Sequence, residues 1–131
     1  VTIEAGLVGF LRADPVIAAV VDARVYPLRL PQTPIYPAIT YQRISTTRER
    51  PINAAAWRAQ ARFQFDCWAD GYGVARQLGD AVRARLDGHM GNLDGAERCD
   101  LIEVINEQDM DEGIIGLYRV SLDALVVYTD Q

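Results

Sequence analysis

Residues 57–68 constrain this chain more than any other stretch. Ala59, Ala61, Phe63, Phe65 and Cys67 alternate with Arg58, Gln60, Arg62, Gln64 and Asp66. That period of two is a β-strand with one face in a core and one face toward water. Asp70 then stands where a helix N-cap belongs. From about 71 to 87, Val74, Leu78, Ala81, Val82, Arg85 and Leu86 fall on one face of a 3.6-residue period, with Arg76, Asp80, Arg83 and Asp87 turned away. Gly88 supplies the C-terminal stop. A half-buried strand running into an amphipathic helix calls for a sheet with helices packed on one face.

The rest of the chain supplies more pieces of the same kind. Thr2 caps a first helix whose Ile3, Leu7, Phe10 and Leu11 form an apolar stripe. Asp14-Pro15 restarts it, with Asp14 as N-cap and Pro15 in the first turn, where a missing N–H costs nothing. This unit should end near Asp22. Val25-Tyr26 opens a short extended piece. Pro27, Pro31, Pro34 and Pro37 then exclude both helix and central strand, leaving an ordered extended loop. Residues 38–47 are rich in β-branched and aromatic types and read as a strand. Residues 48–56 read as a polar, then alanine-rich hairpin connection.

Beyond the helix, 89–95 reads as a glycine-rich loop. Residues 99–108 read as a strand with Ile102 and Val104 on one face and Glu103, Ile105 and Glu107 on the other. Residues 109–116 read as an acidic turn, and 117–129 as a long final strand. Leu125, Val126 and Val127 make that strand apolar on both faces, so its end should be covered twice. The expected order is α-(α)-β-β-β-α-β-β. It describes an α+β fold, a mostly antiparallel sheet of four to five strands with helices on one face. At 131 residues the chain is one domain, 1–131, on a prior of roughly 100–200 residues per domain.

Composition removes most chemistry. All 13 basic residues are arginine, so neither a Schiff-base lysine nor a P-loop lysine exists. Two cysteines and His89 cannot build a four-ligand Cys/His zinc site. Cys67 shares a strand face with Phe63 and Phe65 and reads as a small buried hydrophobe; no nucleophile signature surrounds Cys99. Asp109-x-Asp111-x-Gly113 opens like a calcium loop, then places Ile114 where the loop needs glycine. Gly71-Tyr72-Gly73 precedes a helix, but Arg76 occupies the third glycine position of a dinucleotide fingerprint. Glu103, Glu107 and Asp109 read as strand-edge acids with no sugar cleft implied. No enzyme and no cofactor are expected. No apolar run reaches the ~20 residues of a membrane helix, and the N-terminus lacks the basic region of a signal peptide. Synthesis in a reducing cytoplasm, with both thiols free, is the expectation.

What remains is charge, and it is segregated. The formal charge is −5. Between 43 and 62, Arg43, Arg48, Arg50, Arg58 and Arg62 face one acid, Glu49, a local +4. Between 97 and 112, Glu97, Asp100, Glu103, Glu107, Asp109, Asp111 and Glu112 face one base, Arg98, a local −6. Either the two segments are neighbours in one subunit and pair there, or they attract each other between copies. Contacts of the second kind are head-to-tail and close into rings or run on as filaments. The candidate interface or lumen residues are therefore Arg43, Arg48, Arg50, Arg58, Glu103, Glu107, Asp109, Asp111 and Glu112. Two other classes remain open: a small cytoplasmic ligand-binding or enzymatic α+β domain, and a nucleic-acid binder acting through the arginine segment.

Several segments in order carry a family resemblance. They are Leu11-Arg12-Ala13-Asp14-Pro15-Val16-Ile17-Ala18-Ala19-Val20 with Arg24-Val25-Tyr26-Pro27, then Pro37-Ala38-Ile39-Thr40-Tyr41-Gln42-Arg43-Ile44-Ser45. Phe63-Gln64-Phe65-Asp66-Cys67-Trp68-Ala69, leading into Ala75 to Leu86, and Leu117-Tyr118-Arg119-Val120-Ser121-Leu122-Asp123 complete the set. Together they resemble the tail-completion, or tail-terminator, family of long-tailed phages and phage-derived gene transfer agents. The resemblance implies a virion structural protein made in the bacterial cytoplasm. It implies a ring, usually hexameric, at the head-proximal end of the tail tube. Its implied partners are copies of itself, the tail tube protein and the head–tail connector or stopper protein, with DNA sliding through the lumen without specific binding. It implies no catalytic residue, no cofactor and no membrane.

Overall fold

The computed structural model describes residues 2–50, 52, 57–95, 97–111, 113 and 116–130, with backbone alone for Asp111 and Asp130. Its elements run α1 (Ile3–Arg12), α2 (Pro15–Val21), β1 (Val25–Pro27), β2 (Ala38–Glu49), β3 (Trp57–Ala69), α3 (Tyr72–Leu86), β4 (Gly91–Asn92), β5 (Arg98–Cys99), β6 (Leu101–Asp111) and β7 (Tyr118–Asp130). The fold is α+β. Five strands form one sheet in the order β1-β2-β3-β7-β6; β1 lies parallel to β2 and every other pair is antiparallel.

Local chemistry starts the helices as the sequence indicates. The Ala5 N–H donates to Thr2 Oγ1 at 3.2 Å. Asp14 Oδ1 accepts from the N–H groups of Val16 and Ile17, with Pro15 beginning α2. Helix α3 differs: its N-cap is Gly71, with no side-chain cap bond, so Asp70 lies one residue too early to serve.

One face of the sheet carries the core. Ala59, Ala61, Phe63, Phe65 and Cys67 of β3 meet Val120, Leu122, Ala124 and Val126 of β7 and Ile102 of β6, all fully or almost fully buried under the helices. The α3 face that packs there is Ala75, Leu78, Gly79, Val82 and Leu86. Val74, expected inside, is 39% exposed. Gly79 sets the spacing between layers: a Cβ on it would lie 2.7 Å from Val120 Cγ1. Helix α1 uses glycine in the same way. A Cβ on Gly9 would overlap the Asp94 carboxylate at 2.0 Å, and one on Gly6 would lie 2.6 Å from Glu97 Cβ. These two glycines seat the connection between β4 and β5.

Several boundaries differ from the sequence reading. The stretch read as a glycine-rich loop contains β4, which pairs with β5 as a small second sheet. Strand β2 continues through Glu49, two residues into the expected hairpin connection, whose Pro51 and residues 53–56 lie outside the described residues. Strand β6 continues to Asp111, so Asp109 and Asp111 are strand residues and not part of a turn.

A register shift between Val104 and Asn106 makes Ile105 an extra residue in β6. A bulge of this kind breaks strict alternation. Glu107 therefore stands opposite Leu122 and Asp109 opposite Val120, on the helix-bearing face with Ile102 and Val104 and not across from them. The end of β7 is not doubly covered: Leu125 and Val127 lie half-buried on the face without helices.

Candidate assembly interface

Arg48 and Asp109, one from each charged segment, lie toward opposite ends of the sheet. Arg48 pairs in register with Ala59, while Asp109 lies level with Cys67 through Val120. Eight residues of β3 separate those levels, ~27 Å at strand rise. Strands β3 and β7 also stand between β2 and β6. Arg48 and Arg58 are therefore out of reach of Glu107 and Asp109 along the sheet of one subunit, whereas Arg62 and Glu103 lie level with each other on either side of β7.

Each segment satisfies part of its charge by other means. The guanidinium of Arg43 is ion-paired with Glu4 of α1. It also donates to Thr46 Oγ1 and the Tyr128 hydroxyl, both at 3.0 Å, and lies 5.3 Å from the Phe63 ring centre. Arg43 thus pins α1 to the sheet. Arg62 donates to Asp123 at 2.6 Å on the open face. A stripe of arginines waiting for phosphates would not be tied down in this way, which weighs against nucleic-acid binding.

Arg48, Arg50 and Arg58 form the outer part of the segment. All three are exposed, and the Arg50 guanidinium lies 5.8 Å from the Trp57 ring centre. Near them a cleft of about 440 Å³ is lined by Thr47, Arg48, Glu49, Arg58, Gln60 and Val127.

At the acidic end, Arg76 organises three carboxylates. It donates to Asp109 at 2.7 Å and Asp80 at 2.9 Å, and is ion-paired with Glu107. Tyr72 donates its hydroxyl to the other Asp109 oxygen at 2.6 Å. The Tyr72 hydrogen bond and then the Arg76 guanidinium hold the Asp109 carboxyl below the usual range. Burial raises the Cys67 thiol well above its ordinary value, which keeps it protonated and unreactive.

The structure thus brings Glu107 and Asp109 together, and leaves Glu103 exposed at the level of Leu125. Asp111 lies in β6 opposite Tyr118, and Glu112 lies outside the described residues. Arg76 is the residue that the sequence reading missed, having placed it on a solvated face. Its i,i+4 spacing to Asp80 was visible, but its reach to β6 depends on the Ile105 bulge.

Among the described residues, no cluster of three or more His, Cys, Asp or Glu side chains could hold a metal ion. No helix is long and apolar enough to cross a membrane.

The family model for tail completion protein gp17 matches residues 5–129. The chain belongs to that family. A tail completion protein is a structural component of a phage-like particle and not an enzyme, and that is the role and location of this chain. Among solved structures, a chain of the virion of a native gene transfer agent particle has the same fold. It superposes with a TM-score of 0.72 at 19% identity, covering 98% of this chain and 94% of that one. No curated protein sequence matches.

Proposed function

We propose that this tail completion protein forms a ring of its own copies at the head-proximal end of the tail tube. There it ends tube growth and joins the tail to the head connector. The observation that carries this reading is the placement of Arg48 and Arg58 on one side and of Glu107 and Asp109 on the other, toward opposite ends of the sheet and on different strands. Attraction between such patches is head-to-tail, and a head-to-tail contact closes into a ring when its rotation divides a full turn. Six copies is the number that the family resemblance implies. The tail tube protein would meet one face of the ring and the connector or stopper protein the other. DNA would pass through the central hole without sequence-specific contacts.

The test is Arg48→Glu combined with Arg50→Glu, with folding checked by circular dichroism and thermal melting. The folded variant should fail to complete tails, leaving tails of uncontrolled length or tails apart from heads in electron micrographs. Normal, joined tails made by this variant would remove the arginine stretch from the contact.

A further inference from the structure

We propose that neighbouring copies join by backbone pairing between the outer edge of β2 and the outer edge of β6, so that their sheets continue into one another. This deepens the ring reading above and rests on it.

Both edges are open over limited, well-defined stretches. β1 covers β2 only at Ile39–Tyr41, where the Leu28 N–H donates to the Tyr41 carbonyl at 2.8 Å. From Gln42 to Thr47, β2 has β3 as its one strand neighbour among the described residues. At the other side of the sheet, the start of β6 is closed. The Gly88 N–H donates to the Ile102 carbonyl, the Ile102 N–H to the His89 carbonyl, and the Val104 N–H to Asp87 Oδ1. From Asn106 to Met110, β6 has β7 as its one strand neighbour among the described residues. An open strand edge is a template for another strand.

Three features make the two stretches partners for each other. The first is direction: β2, β3, β7 and β6 alternate, so β2 and β6 run oppositely. A rotated copy therefore presents β6 antiparallel to β2.

The second feature is chemistry. With Thr46 opposite Asp109, Arg48 stands opposite Glu107, and all four side chains leave on the helix-bearing face. Opposite charges directly across an antiparallel pair are favourable.

The third feature is geometry. Thr46 lies level with Ala61 of β3, while Asp109 lies level with Cys67 through Val120. The residues to be joined are thus offset by six residues, ~20 Å along the strands, against ~19 Å across the four strand spacings of one copy. Joining them tilts the strands by about 46° from the ring axis, next to the 35–45° typical of closed barrels.

The test uses particles assembled with Thr47→Cys/Gln108→Cys, and with Ser45→Cys/Gln108→Cys to cover a register slip. All three positions are exposed on the open face, and the native Cys67 and Cys99 are buried. After mild oxidation, non-reducing gels should show a ladder of covalent multimers up to the full ring, collapsing to monomer on reduction. The single cysteine variants should give no ladder. Monomer alone in both double variants, while micrographs show a ring and completed tails, would overturn edge pairing and leave the ring standing. A cross-link to a chain of another mass would also overturn it, by showing that the edge serves a different protein. Micrographs of wild-type particles with no ring of this chain would instead overturn the ring reading itself.

Discussion

Replacing Gly79 by alanine tests the layer spacing on which the fold depends. A new Cβ would lie 2.7 Å from Val120 Cγ1 and 3.3 Å from Val120 Cβ. Carbon atoms sit comfortably at about 3.5–4.0 Å, so α3 and β7 must part or Val120 must leave its rotamer. Val120 is fully buried against Cys67 and cannot swing into water. Overpacking of this kind costs about 1–3 kcal/mol, while alanine regains up to ~1 kcal/mol of helix propensity. The net expectation is a loss of about 1–2 kcal/mol. For a chain of this length that is a fall in Tm of roughly 3–8 °C. Gly73, in the same helix with nothing within 4 Å of its would-be Cβ, is the control; Gly73→Ala should hold or raise Tm. Combining Gly79→Ala with Val120→Ala should destabilise by less than the sum of the two single changes, since the shortened side chain makes room. Urea denaturation with an unchanged slope would report these values directly. If Gly79→Ala proves as stable as the parent, α3 does not approach β7 as closely as described.

Gly9→Ala should also destabilise, because its Cβ would overlap the Asp94 carboxylate; loss of amide protection around residues 91–99 in hydrogen exchange would locate the effect there. Asp109 titrates below its ordinary value because Tyr72 and then Arg76 stabilise its charged form. That stabilisation is present above the unfolded carboxyl value and is lost as pH falls through the folded one. Tyr72→Phe should move the Asp109 carboxyl upward in an NMR titration and leave other carboxyls in place. Cys67 should resist thiol reagents in the folded protein and react on unfolding, since burial keeps it protonated.

Much of this fold is legible residue by residue because its signals are local. The alternation in β3 needs no partner to be read. Asp14-Pro15 fixes the start of α2 through bonds two and three residues away. What was hidden depends on distant contacts. Nothing in Ile105-Asn106-Glu107 announces a bulge, yet it turns Glu107 and Asp109 toward α3 and creates the Arg76 cluster. The Gly6 and Gly9 seat is invisible without the segment it receives. The charge asymmetry was plain in the sequence. That Arg48 and Asp109 lie on separated strands, ~27 Å apart in level, follows from the strand order β1-β2-β3-β7-β6 and its register, which local patterns do not encode.

Electron microscopy of particles made without this gene tests the central claim most directly. Tails of uncontrolled length, or tails and filled heads lying separately, are the predicted result. Joined particles with tails of normal length would contradict the account.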